Sequence, residues 1–166
     1  SNLTEITIPD GLSSIGNYAF SKTTSLQSIE IPSMLSTLGA YAFKESGISG
    51  NIVIPGTLQV VSEGTFIGAN NLDSVTFVDG TKMIQEYAFS ECSSLSDVTF
   101  SSTIEWIGIG AFMGDSSLLS MTMPQNENFL ILAENIFMDC TSLESVFVYD
   151  NLASIRKNAF RGATLF

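Results

Sequence analysis

No histidine occurs anywhere in the 166 residues, which removes the commonest general base and the commonest neutral metal ligand. Serine is plentiful, but with no His and no Ser-x-x-Lys arrangement it has no activating base of the familiar kinds. Positive charge is equally scarce. Six Lys or Arg face 17 Asp or Glu, a formal charge of −11, which opposes binding to nucleic-acid phosphates and to anionic lipid. Charged residues make up only 14%, against the usual quarter or so, and Ser and Thr carry much of the polar surface instead. No apolar run approaches the roughly 18 residues that would span a bilayer, and no signal-peptide pattern is present. The two cysteines, Cys92 and Cys140, are too few for a closed zinc site. Asp73 and Asp97 come nearest to a catalytic pair or a calcium contact, but they lie in no oxygen-rich loop and no expected pocket. Enzymatic function and a bound cofactor or metal are therefore not expected.

What is present is a beat. Phenylalanine recurs at 20, 43, 66, 89, 112, 137 and 160, so successive intervals are 23 residues except for one of 25. A fixed apolar pattern travels with it. In Leu26-Gln27-Ser28-Ile29-Glu30-Ile31-Pro32 the alternation of Ile29, Glu30 and Ile31 is the two-residue period of a strand. The register returns as Leu3/Ile6/Ile8, Leu72/Val75/Phe77, Leu95/Val98/Phe100, Leu118/Met121/Met123 and Leu143/Val146/Val148. In the remaining copy Ile52 and Ile54 keep step while Ser49 replaces the leading leucine, with Ile48 beside it as a substitute plug.

Proline stands where the backbone should leave the sheet, at Pro9, Pro32, Pro55 and Pro124. A second apolar pair follows, as in Leu12/Ile15, Leu35/Leu38, Leu58/Val61, Ile104/Ile107, Phe129/Leu132 and Leu152/Ile155. The fourth copy has Thr81 at the first site, for which Met83 is the expected compensation. Alanine precedes Phe at 19, 42, 88, 111 and 159, where a small side chain lets the backbone of successive layers pass closely. A single unit cannot bury both apolar edges, but stacked units can.

The expected fold is a solenoid of stacked repeats. About seven strands form a single parallel β-sheet on one face, roughly 30 Å across at about 4.8 Å per strand. Short turns or 3-10 segments make the convex face, and the phenylalanines stack as a spine opposite the strands. Cys92 and Cys140 occupy equivalent places two repeats apart, a separation of roughly 10 Å, beyond the reach of a disulfide. Two free, buried thiols are expected. The two extra residues around Pro124-Gln125-Asn126-Glu127-Asn128 should bulge as a loop at the edge of the stack. The chain reads as one domain over residues 1–166. It opens in mid-pattern at Leu3 and stops after Phe160, as expected of a segment of a longer protein with both ends uncapped and open to end-to-end self-association.

The pattern Leu-x-x-Ile-x-Ile-Pro-x-x-Leu-x-x-Ile-Gly-x-x-Ala-Phe-x-x-Cys resembles the leucine-rich repeat of BspA-like (Treponema pallidum-type) surface proteins. The resemblance covers Leu3 to Phe160, and Cys92 and Cys140 fall at the family's Cys position, held elsewhere by Thr23, Ser46, Ala69, Asp115 and Ala163. The chain lacks the regular Asn of common leucine-rich repeats. The resemblance implies a secreted or cell-surface protein acting in adhesion or host interaction, with an extracellular host or matrix protein, or another surface protein, as partner. It supplies no catalytic residues.

Outward side chains should form columns on the strand face. The central column reads Glu30, Val53, Thr76, Thr99, Thr122 and Phe147, with Asp97 and then Asp73 and Glu144 in the columns beside it. A threonine ladder is good solvent-facing sheet in its own right. Phe147 and Tyr149 are the exception, since aromatics amid polar groups are typical interface anchors. The candidate partner-binding residues are thus Glu30, Asp73, Thr76, Asp97, Thr99, Thr122, Glu144, Phe147 and Tyr149. A spacer presenting another domain is the alternative, and carbohydrate recognition a third, which would need exposed aromatics to stack on sugar rings.

Overall fold

A computed structural model of the chain describes residues 2–163. The solenoid carries twelve strands: β1 (Ser14–Ile15), β2 (Thr37–Leu38), β3 (Gly50–Ile54), β4 (Val60–Val61), β5 (Leu72–Phe77), β6 (Met83–Ile84), β7 (Asp97–Thr99), β8 (Trp106–Ile107), β9 (Ser120–Thr122), β10 (Ile131–Leu132), β11 (Ser145–Phe147) and β12 (Ser154–Ile155). Every strand pair is parallel, and partners lie one repeat apart, as in Val75 with Val98 and Val146 with Met121. Among the described residues there is no helix.

The expected strand face is made by β3, β5, β7, β9 and β11. The two N-terminal repeats meet there only at a bridge between Glu5 and Ser28. The return side, where short turns were expected, carries in addition a second parallel ladder built from β1, β2, β4, β6, β8, β10 and β12. Val60-Val61, Met83-Ile84, Trp106-Ile107 and Ile131-Leu132 are strand-favouring pairs, one residue outward and the next buried.

A third line of inter-repeat bonds runs along the phenylalanines. The Phe43 N–H donates to the Thr65 carbonyl at 2.8 Å, Phe66 to Ala88 at 2.7 Å and Phe89 to Ala111 at 2.9 Å. The side chains stack, with centroids 5.1 to 5.3 Å apart from Phe20 to Phe89 and 5.6 to 6.0 Å apart from there to Phe160. Phe77 and Phe100 come inward from the strand side and meet Phe89 and Phe112 edge-on. The residue two before and the residue two after each Phe have positive φ in every repeat, from Tyr18 and Lys22 to Asn158 and Gly162. This double left-handed turn aims each ring into the interior.

The irregular copies resolve in different ways. Ile48 is fully buried and Ser49 exposed, as expected. Met83, by contrast, does not compensate for Thr81. It is 38% exposed, while Thr81 is itself buried and satisfies its hydroxyl on the Leu58 carbonyl at 2.8 Å. The two-residue insertion is pinned rather than loose. Asn126 Nδ2 donates to the Ser102 carbonyl at 2.8 Å, and Asn151 Nδ2 donates to the carbonyls of Asn126 and Phe129 at 2.9 and 3.1 Å. Thr57 and Thr103 bond the Leu35 and Thr81 carbonyls from the equivalent place, so a polar column does run along the stack, made of Thr and Asn.

Candidate binding face

Both ladders are interrupted between the unit that begins at Phe89 and the unit that begins at Phe112. β7 does not pair with β9, nor β8 with β10. The second of these units carries the insertion. The strand face opens there into a groove of about 420 Å³, which Asp97, Thr99, Ser120, Thr122, Gln125 and Tyr149 line from four different segments. Four of the nine candidate residues are thereby brought together: Asp97, Thr99, Thr122 and Tyr149.

The other five are dispersed. Asp73 Oδ2 accepts the Gly50 N–H at 3.0 Å, and Thr76 donates to Asn51 Oδ1 at 3.3 Å, so both tie the N-terminal half of the face together. Glu30 lies in a separate groove with Glu5, Ser28 and Asn51, at a second interruption of the ladders. Glu144 stands near Phe160 and Ala163. Phe147 is 57% exposed and touches Tyr149 edge-on, with ring centroids 5.1 Å apart. Tyr149 is half-buried and lines the groove. Leu119, just before β9, is 54% exposed on the same face.

Sequence reasoning missed a second surface. The outward residues of β4, β6, β8 and β10 are Val60, Met83, Trp106 and Ile131, an apolar column in which Met83 and Trp106 are of types enriched at protein interfaces. Val60 and Met83 are exposed, and Trp106 and Ile131 half-buried. Their sequence signal is an apolar residue directly before the buried second member of each apolar pair.

Beneath these surfaces lies one unusual polar group. Asp115 is fully buried in the column between Cys92 and Cys140. Its Oδ1 accepts the Cys92 N–H at 2.9 Å, while Oδ2 has no partner. Burial, with the Glu91 charge behind it, pushes this carboxyl well above the usual range, against the lowering effect of the Cys92 amide. Both cysteines are free and buried, each with Sγ on a backbone carbonyl, Phe66 at 3.2 Å and Phe112 at 3.0 Å. Burial also raises both thiols, Cys140 to about 12, so neither is a ready nucleophile.

The repeat register, the phenylalanine spine and the parallel ladders agree with a match to the BspA type Leucine rich repeat region, found in six copies over residues 1–77 and 48–165. The chain belongs to the BspA-type leucine-rich repeat family. No curated protein sequence matches it. Among solved structures, a leucine rich cell surface protein from Faecalibacterium prausnitzii is similar over 95% of this chain and 50% of its own, with 24% identity and a TM-score of 0.66. The Treponema pallidum leucine-rich repeat protein is similar over 92% of this chain and 70% of its own, at 18% identity and a TM-score of 0.55. The pneumococcal vaccine antigen PcpA is similar over 89% and 47%, at 16% identity and a TM-score of 0.59. These likenesses concern the fold, and the chain spans about half the length of the Faecalibacterium protein. No helix among the described residues is long and apolar enough to cross a membrane.

Proposed function

We propose that this BspA-type segment is a non-enzymatic, cell-surface or secreted module that binds an extracellular protein through the C-terminal part of its strand face. The partner is a host or matrix protein, or another surface protein. The observation that carries the reading is the pairing of exposed Phe147 and Leu119 with the Tyr149 edge contact, on strands whose other outward residues are Ser, Thr and carboxylates. Exposed aromatic side chains in a polar surround are typical anchors of a protein interface, and Leu119 adds apolar area beside them. A spacer role fits the N-terminal half better, where Ser74 and Thr76 spend their hydroxyls on Asn51.

The test is attachment of the chain to intact cells and to immobilised matrix proteins. The double variant Leu119→Ala/Phe147→Ala should lower affinity about tenfold or more. Met83→Ser/Trp106→Ser, on the second ladder, should leave it unchanged. The reverse ranking would move the binding surface to the second ladder and overturn the reading.

A further inference from the structure

The groove between β7 and β9 gathers hydrogen-bonding capacity that goes unused within the protein, next to an aromatic ring. In the middle of the face, around Asn51, outward polar side chains are committed within the protein. Ser74 Oγ donates to Asn51 Oδ1 at 3.0 Å, Asp73 accepts from Gly50, and Ser49 Oγ donates to the Gln27 carbonyl at 2.9 Å. Beyond β7 this stops. Among the described residues, the side chains of Asp97, Thr99, Ser120, Thr122 and Gln125 and the phenol of Tyr149 have no hydrogen-bond or ion-pair partner in the protein. All six face one groove, whose volume falls in the range of small-ligand sites.

The chemistry of the walls selects among ligands. Hydroxyls at 99, 120, 122 and 149 both donate and accept, Gln125 offers an amide, and Asp97 accepts only. No Lys or Arg lines the groove, so an anionic ligand would find no counter-charge. A calcium ion would find a single carboxylate among neutral hydroxyls and one amide, too little negative charge for a cation site. What fits is a neutral molecule that alternates hydroxyls with C–H faces. The hydroxyls would bond the Thr, Ser, Asp and Gln groups, and a C–H face would pack on the Tyr149 ring.

We infer that the groove between β7 and β9 binds a neutral saccharide, with Tyr149 as its stacking platform and Asp97, Thr99, Thr122 and Gln125 as its hydrogen-bonding groups. This rests on the strand face being the binding face, and it names part of what the partner presents there: a neutral sugar unit.

The test is direct binding of the chain to an array of neutral oligosaccharides, followed by calorimetric titration of the best binder. Thr99→Val/Thr122→Val keeps β-branched side chains in the strands and removes only the hydroxyls. It and Tyr149→Ala should each weaken the sugar about tenfold or more, with the circular dichroism spectrum unchanged. Met83→Ser/Trp106→Ser, on the second ladder, should leave sugar binding intact. Binding of no neutral oligosaccharide at millimolar concentration overturns the inference. So does binding insensitive to both groove variants, or a preference for acidic sugars or unglycosylated peptide.

Two source arms carry the same sugar, a free polysaccharide and a glycoprotein before and after enzymatic deglycosylation. Sugar binding with attachment that ignores Leu119→Ala/Phe147→Ala upholds this inference and sinks the protein-anchor reading. Anchor-dependent attachment without sugar binding does the opposite.

Discussion

At the scale of single residues, the most consequential departure from the repeat is Asp115. Its column otherwise holds Thr23, Ser46, Ala69, Cys92, Cys140 and Ala163, all small or weakly polar. A carboxyl there has one oxygen satisfied by the Cys92 amide and one satisfied by nothing. Burial favours the protonated form, so its folded pKa lies above the value of about 3.9 that it takes in an unfolded chain. For a raised pKa the stabilisation is complete below the unfolded value and is lost as pH climbs through the folded value. Glu91 adds to the shift, and the flanking thiols stay neutral across the same range. Asp115→Asn keeps the shape and abolishes the titration. Its melting temperature should match the parent's at pH 4 and exceed it by a growing margin up to pH 8. Thermal unfolding at four or five pH values checks this, and comparing variant with parent cancels the 16 other acidic residues. A constant offset across the range would show that Asp115 ionises freely in the fold.

At the scale of elements, the insertion and the polar column that holds it explain why the stack changes character halfway along. Two extra residues follow β9, and Asn126 and Asn151 tie this segment to the repeats on either side. Asn151 Nδ2 donates to three backbone carbonyls, those of Asn126, Phe129 and, at longer range, Glu127, which an alanine would leave unmade. Asn151→Ala should cost about 1–2 kcal/mol in urea unfolding. Asn151→Asp should do no better, because the carboxylate keeps the shape and loses the donor. Recovery of full stability in the Asp variant would mean that packing, not hydrogen bonding, pins the loop. The strand register, the buried apolar positions and the spine were legible because they recur every 23 residues and only one face of each strand can be buried. The second ladder was not, since two-residue strands are too short to show alternation and their outward residues, Val60, Met83, Trp106 and Ile131, are apolar on both counts. The groove was half legible. Asp97, Thr99, Thr122 and Tyr149 stood out as outward residues, but their convergence depends on a break in hydrogen bonding that no residue type announces. The left-handed turns were legible only where Gly64, Gly68, Gly110, Gly114 and Gly162 mark them. Tyr18, Lys22, Glu91 and Asp139 adopt the same positive φ without that signature.

At the scale of the molecule, stability is close to a sum over layers and the interfaces between them, because each repeat touches only its neighbours. The spine makes this concrete. Phe89 is fully buried, stacks on Phe66 at 5.1 Å and Phe112 at 5.6 Å, and meets Phe77 edge-on at 6.0 Å. Phe20 is half-buried and stacks only on Phe43 among the described rings. Phe89→Ala should cost about 3–5 kcal/mol, whereas Phe20→Ala loses less transfer energy and opens no enclosed cavity. The central change should also uncouple what it separates, since it lies one layer before the step where both ladders already break. The single Trp, Trp106, reports on the unit that starts at Phe89, while far-ultraviolet circular dichroism reports on the whole stack. In the parent the two probes should trace one urea transition. In Phe89→Ala the Trp signal should move to lower urea than the dichroism, because the layers around the cavity open first while the N-terminal repeats persist. Coincident probes in Phe89→Ala, with a loss no larger than that of Phe20→Ala, would mean that the interior does not act layer by layer and that the spine is not what couples the repeats.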